Sequence, residues 1–263
     1  MDGNRRRPRT VAVGDRGLSD TLGFVLTFSI VIGSVGLVSI VGLGQLDDFS
    51  TDQQLRNAET TFELIARSFD EIEEGQTETR TDALELDGGQ MYVNQSSSAT
   101  VTVEQPGPDY EATVPLNALL YRTDGTEIVY ENGATFRGAE GWESGVLNRD
   151  PGLVCRDRGA VISLVTLDAV EGRTYGGEST LRVTGRSTNT TLLYPTADTS
   201  PGSADSATGV SVEIDSPRSA QWRQHFEGTA FDTDDSGPTT TISCDGTERV
   251  YVRHTVIDVT FDS

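Results

Sequence analysis

An uncharged stretch near the N-terminus constrains this chain more than any other feature. It runs from Thr21 to Leu46 and contains 26 residues without a charge. As a helix it would measure about 39 Å, whereas the hydrocarbon core of a bilayer is about 30 Å thick. The apolar core of an ordinary secretory signal is shorter, about 7 to 15 residues. We therefore expect this stretch to span a membrane as a helix.

The charges on either side of the stretch predict its orientation. Five arginines precede it and three aspartates follow it. The arginines are Arg5, Arg6, Arg7, Arg9 and Arg16, and the aspartates are Asp47, Asp48 and Asp52. Because flanking arginines stay on the cytoplasmic side, we expect a single-pass protein of the cell membrane. Its N-terminus would be cytoplasmic and its C-terminal domain extracellular.

A second helical pattern follows the uncharged stretch. Apolar residues recur at alternating spacings of three and four, which is typical of an amphipathic helix. This seam consists of Leu55, Ala58, Phe62, Ile65, Phe69 and Ile72. Because Gly75 can end the helix, residues 18–75 are predicted to form a transmembrane helix that continues as an amphipathic one. The seam needs a partner, either the chain's own C-terminal domain or another subunit.

From residue 76 onward the pattern changes to alternation typical of strands. Asp87-Gly88-Gly89 indicates a hairpin within Ala83 to Val93, and Val114 to Tyr121 has the pattern of one strand. Ser219 to Phe226 is predicted to be a short helix. Short strands at regular spacing predict a mainly antiparallel all-β domain, sandwich-like in architecture. We expect it to occupy residues 76–263.

The charge balance indicates a habitat rather than a partner. The formal net charge is −21, and all 20 basic residues are arginine. An acidic surface without lysine stays hydrated when water activity is low, so we expect a halophilic, archaeal source. Because molar salt shortens the Debye length to about 3 Å, this acidity steers no partner. Nucleic-acid binding is not expected, since the one basic cluster precedes the uncharged stretch.

No pattern of residues indicates catalysis. The chain has no lysine for a Schiff base or a phosphate-binding loop, no Gly-x-Ser-x-Gly and no His-Glu-x-x-His. We therefore expect no enzymatic activity and no cofactor. Cys155 and Cys244 each lack a second ligand at metal-binding spacing, so no metal site is expected either. On the outer side of a membrane they can form a disulfide or remain free thiols.

Two sequons follow the uncharged stretch. They are Asn94-Gln95-Ser96 and Asn189-Thr190-Thr191. Both would lie on the translocated side of the membrane, where an asparagine in this context can accept a glycan. Asn94 and Asn189 are therefore candidate glycosylation sites.

The residues just before the uncharged stretch resemble a known processing site. Asp15-Arg16-Gly17-Leu18 places a charged residue and a glycine directly ahead of the helix. This arrangement resembles the class III signal of type IV pilins and archaellins. The resemblance implies a basic leader, residues 1–17, that a prepilin-type signal peptidase removes, with Arg16, Gly17 and Leu18 as the processing site. Because that cut is cytoplasmic, the helix would be kept as an anchor and could pack against other pilin subunits.

Further residues strengthen this resemblance to haloarchaeal pilin-like envelope proteins. They are Leu18-Ser19-Asp20-Thr21-Leu22-Gly23, Tyr121-Arg122-Thr123, Tyr130-Glu131-Asn132-Gly133 and Trp222 to Phe226. Two features depart from bacterial major pilins: Leu22 occupies the fifth mature position in place of a glutamate, and the β domain is large. The resemblance implies a membrane-anchored surface protein that acts in filament assembly or adhesion. The alternative is an uncleaved single-pass protein whose β domain binds a ligand or is an enzyme.

Overall fold

The computed structural model describes residues 16–170, 172–196, 207–234 and 237–262, with side chains described outside 16–21 and 40–50. Helix α1 (Arg16–Glu73) is followed by a domain rich in strands, into which helix α2 (Ser219–Phe226) is inserted. The chain divides into two units between Asp52 and Gln53. The last third of α1 therefore falls in the same unit as the strands, whereas the sequence predicts a β domain that starts at residue 76.

The strands form three sheets. Sheet A consists, in spatial order, of β1 (Thr79–Glu85), β12 (Thr180–Tyr194), β16 (Val250–Asp262), β10 (Gly159–Asp168) and β9 (Leu153–Arg156). Sheet B consists of β11 (Thr174–Gly176), β2 (Gln90–Asn94), β5 (Ala118–Thr123), β6 (Thr126–Glu131), β7 (Ala134–Ala139) and β8 (Gly145–Arg149). Sheet C consists of β14 (Asp232–Asp234), β15 (Thr240–Asp245), β13 (Gly209–Asp215), β3 (Ser98–Glu104) and β4 (Tyr110–Pro115).

The predicted fold class, an N-terminal helix followed by a mainly antiparallel β domain, is confirmed. Among the strands that the structure describes, β10 and β16 alone pair in parallel. The predicted hairpin over Ala83 to Val93 is wrong, because β1 pairs with β12 in sheet A while β2 pairs with β5 in sheet B. Asp87 and Gly88 do take the positive φ values of a tight turn, but this turn connects two sheets.

The amphipathic half of α1 packs against its own domain. All six seam residues are buried, together with side chains from sheets A and B, in a cluster that we call the helix core. Phe69 stacks edge-on against Tyr130, with ring centroids 5.1 Å apart. A Cβ at Gly185 would collide with the Phe69 ring, so the absence of a side chain there lets the helix approach β12. The seam's partner is therefore the chain's own C-terminal domain.

Ion pairs hold this half of α1 to both sheets. Glu59 pairs with Arg137 at 3.0 Å and Asp70 with Arg149, both on the sheet B side. On the sheet A side, Glu73 pairs with Arg253 at 2.6 Å and Glu71 with Arg80. Acidic side chains of the amphipathic helix thus pair with four arginines of the domain, two on each sheet, which helps to hold the helix against both sheets.

A second cluster, the sheet C core, lies on the other faces of the sheets. It receives Val101 and Val212 from sheet C, Phe136 from sheet B and Ile162 from sheet A. Helix α2 adds Trp222, whose ring lies 5.1 Å from that of Phe136. Where α1 covers them, sheets A and B therefore bury both faces, one against the helix core and the other against the sheet C core.

Candidate functional site

The N-terminal part of α1 carries a segment with the length and composition of a membrane span. Leu22–Ser39 has a mean hydropathy of 2.1, and none of its 18 residues is buried within the protein. Its hydroxyl groups bond within the helix: Thr27 donates to the Gly23 carbonyl, Ser34 to that of Val31 and Ser39 to that of Val35. Polar groups satisfied in this way can enter hydrocarbon at low cost.

The predicted processing site lies at the very start of this helix. The helix begins at Arg16, so the Gly17–Leu18 peptide bond falls in its first turn. The side chains of these residues and the rest of the basic leader lie outside the part of the chain whose structure is described. Processing between Gly17 and Leu18 therefore remains a prediction from the sequence.

Cys155 and Cys244 form a disulfide in the structure. Their Cα atoms are 5.8 Å apart, and the bond joins β9 of sheet A to β15 of sheet C. Cys244 is buried in the sheet C core and Cys155 packs against it. Because both sulfur atoms are used in this bond, neither cysteine offers a thiolate to a metal.

We expect the bond to be present in the isolated protein and to stabilise it. Peptide mapping without reductant should find Cys155 crosslinked to Cys244, and replacing both cysteines with serine should lower the free energy of unfolding by about 2–4 kcal/mol. The mapping should be done on protein isolated with a thiol-trapping reagent. Recovery of two alkylated cysteines from untreated protein would contradict the pairing.

The two histidines and the two sequons lie at separate places. His225 on α2 is 3.7 Å from Asp150, while His254 on β16 bonds to Thr166 at 2.7 Å, and burial lowers the pKa of its imidazole. Asn189 is exposed on β12, next to a bulge in its pairing with β16, and Asn94 ends β2 half-buried. Exposure favours Asn189 of the two as a glycan acceptor. Use of either sequon stays a prediction.

Sequence reasoning missed a buried ion pair. Glu131 and Arg218 have side chains 0% and 1% exposed. The guanidinium donates from Nε to Oε2 at 2.8 Å and from Nη2 to Oε1 at 3.1 Å, in the forked geometry typical of arginine and carboxylate. The Trp222 indole and the Ser216 hydroxyl also donate to Oε2, at 3.1 and 3.0 Å. The Glu131 carboxylate thus accepts four hydrogen bonds.

The surroundings of this pair keep it ionised. Burial is the largest single influence and would raise the pKa of the Glu131 carboxyl, but the charge and hydrogen bonds of Arg218 together with the Trp222 hydrogen bond outweigh it and hold that pKa below its usual value. The guanidinium also lies over the Trp142 ring, 5.4 Å from its centroid, where a cation is favoured. Because every carboxylate oxygen is occupied and enclosed, the arrangement ties α2 to the end of β6 rather than presenting a reactive group.

Three of the segments on which the resemblance to pilin-like proteins rests lie in the β domain, at Tyr121, at Tyr130 to Gly133 and at Trp222 to Phe226. Tyr121 and Tyr130 lie in the helix core, and Tyr121 donates to the Leu86 carbonyl at 2.8 Å. Glu131 and Trp222 are joined by their hydrogen bond. Asn132 and Gly133 take positive φ values and close the hairpin between β6 and β7. These short segments therefore have roles in packing, which the sequence did not reveal.

Among the residues that the structure describes, no three histidine, cysteine, aspartate or glutamate side chains are grouped so as to hold a metal ion.

A family of unknown function, DUF7289, matches residues 16–260, which include the apolar segment and the β domain. No curated protein and no solved structure matches the chain. The chain therefore belongs to this family, DUF7289, whose function is unknown.

Proposed function

We propose that this protein is a pilin-like surface protein, anchored in the cell membrane by α1 and carrying its β domain outside the cell. The observation that carries the proposal is the sequence Arg16-Gly17-Leu18 placed just before an apolar segment, Leu22–Ser39, none of whose residues is buried within the protein. A leader peptidase acting there would leave the anchor attached to the domain. The mature chain would then begin with a hydrophobic helix free to pack against sister helices.

The two halves of α1 differ in what they contact, and this difference supports the proposal. The seam residues of its second half are buried by the β domain, so that half attaches the helix to its own domain. The glycines of the first half, Gly23, Gly33 and Gly36, have open space where a Cβ would lie. Small residues in an apolar helix permit close helix–helix contact in lipid. The first half is thus available for the membrane and for other subunits.

The competing function is that of an uncleaved surface protein whose β domain binds a ligand or catalyses a reaction. Both functions place the β domain outside the cell, but they differ at the N-terminus. A pilin-like protein begins at Leu18, whereas a plain anchored protein keeps its basic leader.

The placement of the domain can be tested with one added thiol. Val170 is 68% exposed, so the Val170→Cys variant should react with a membrane-impermeant maleimide in intact cells, and lysis should not increase the labelling. The wild type serves as the matched control, because its two cysteines are bonded to each other. Labelling that appears only after lysis would contradict an extracellular domain.

We also propose that the domain is adapted to high salt. Its charge is strongly negative, and self-repulsion grows when screening is removed: from molar salt to about 0.1 M the Debye length increases from about 3 to about 10 Å. The temperature at the midpoint of unfolding should therefore fall as salt is lowered, at constant pH. A midpoint that stays constant or rises would argue against salt adaptation.

A further inference from the structure

Four exposed apolar side chains lie together on sheet A. They form a patch, the sheet A patch, made of Val154 (37% exposed), Val161 (42%), Leu192 (51%) and Tyr251 (42%). Val161 is the cross-strand partner of both Val154 and Tyr251. Leu192 is opposite Arg253, the next residue along the same face of β16. Outside Leu22–Ser39, the described residues include seven such exposed apolar side chains, so more than half of them are gathered here.

The patch exists because sheet A extends beyond the helix that covers it. Thr255 and Ile257 on this face of β16 are buried, and Ile257 belongs to the helix core. The cover ends at Glu73, the last residue of α1, whose carboxylate pairs with Arg253. Tyr251, one step further along the same face, has no helix above it. A group of apolar side chains left uncovered in this way is typical of an interaction surface.

The edge of the patch carries positive charge in a protein that is otherwise acidic. Arg156 is exposed and lies two residues after Val154 on β9, hence on the same face. A partner surface for the patch would therefore be acidic and would need small side chains to lie flat against four neighbouring strands.

The outer face of sheet C has these properties. Its five strands, all within the described part of the chain, contain no arginine or lysine. Their exposed acidic residues are Glu104, Glu111, Glu213, Asp215, Asp232, Asp234 and Asp245. Between these lies a flat set of hydroxyl side chains, which are Thr100, Thr102, Thr113, Ser211, Thr241 and Ser243. The methyl groups of the threonines can contact apolar side chains while the carboxylates meet arginine.

The two surfaces point away from each other in one molecule. Ile162 and Val252, which alternate with the patch residues, face the sheet C core. Val212 and Ile242, which alternate with the outward hydroxyls, face the same core from sheet C. Because the core lies between the two sheets, neither surface can reach the other within a single copy.

We propose that the sheet A patch docks against the outer face of sheet C in a second copy of this chain. A contact between two different surfaces on opposite sides of a protein is head-to-tail, so each copy can bind the next one in the same way. Unless the rotation between successive copies closes a ring, such contacts build an open filament. This inference rests on the proposed assembly role and specifies which surfaces of the β domain take part. The patch has four apolar side chains, whereas a standard stable interface involves about 20–30 residues a side, so the contact should form when anchoring concentrates the subunits.

Crosslinking between copies tests the proposal. Membranes that contain a mixture of Val161→Cys chains and Ser211→Cys chains, kept in molar salt and mildly oxidised, should yield a dimer with Cys at 161 joined to Cys at 211. Neither variant should dimerise alone. Pairing Leu64→Cys, which is exposed on α1, with Ser211→Cys is the matched control and should not crosslink. Adding Arg156→Glu to the Val161→Cys chain should reduce the dimer at least several-fold.

Three results would overturn this contact. The first is a dimer of Val161→Cys chains alone, which would indicate a symmetric patch-to-patch interface. The second is crosslinking of the Leu64→Cys control to the same extent, and the third is the absence of any dimer. The N-terminal residue of the same preparation separates this failure from that of the proposed function. No dimer in protein that begins at Leu18 rejects the contact alone, whereas no dimer in protein that begins at Met1 rejects both.

Discussion

Replacing Gly17 with phenylalanine should leave the leader uncleaved and keep the protein out of surface filaments. A peptidase at the cytoplasmic face needs close access to the Gly17–Leu18 bond, and a bulky side chain beside that bond obstructs it. The retained leader has five arginines against two aspartates, a net charge of +3. Charged groups are expensive to bury in an apolar helix bundle, so the uncleaved chain should stay in the membrane.

The measurement compares sheared surface material with membranes. Gly17→Phe protein should be present in the membrane fraction at its full mass and absent from the sheared fraction. Gly14→Phe is the matched control, since it makes the same change three residues before the bond and should be processed normally. Normal cleavage of the Gly17→Phe chain would show that the peptidase does not cut between Gly17 and Leu18.

Removing Arg218 should destabilise the β domain by about 3–5 kcal/mol, because it leaves the Glu131 carboxylate buried without its counter-charge. The Arg218→Met variant tests this in denaturant unfolding. Adding Glu131→Gln should restore part of the loss, since the remaining amide no longer carries a buried charge. Arg158→Met removes an arginine from a pair that is 83% and 61% exposed and is the matched control, with little effect expected.

The same pair predicts how stability depends on pH. The pKa of Glu131 in the folded protein lies below its value in the unfolded chain. At pH values above the unfolded-state pKa the ionised carboxylate therefore stabilises the fold. This contribution is lost as the pH falls through the folded-state pKa. Glu131→Gln should therefore flatten the acid side of the stability profile. An acid limb identical in wild type and Glu131→Gln would mean that other carboxylates determine it.

The structure was predicted best from the sequence where the apolar residues that become buried also recur at a regular local spacing. The seam from Leu55 to Ile72 repeats at helical spacing, and every one of its residues is buried in the helix core. The strand over Val114 to Tyr121 was predicted less well, because Asn117 takes a positive φ of 57° and separates β4 from β5. Its side chain donates to the Leu167 carbonyl at 2.7 Å, a contact with no local signature.

Long-range pairing accounts for what could not be predicted. Glu131 and Arg218 are 87 residues apart, and neither stands in a pattern that indicates burial. The Asp87-Gly88-Gly89 turn is locally typical of a hairpin, yet β1 pairs with β12 at seven residue positions. The residues of a tight turn carry no information about a pairing with so distant a strand. The processing site expected at Gly17 depends only on a short motif beside an apolar segment, which is local information, and it stays a prediction.

The N-terminal residue of the wild-type protein tests the central claim most directly. The protein should be extracted from membranes of its native host, or of a host with a prepilin-type peptidase, and its N-terminal peptide read by mass spectrometry. The pilin-like function predicts a mature chain that begins at Leu18, without the 17 preceding residues. A chain that begins at or near Met1, with no trace of a Leu18 terminus, would contradict it.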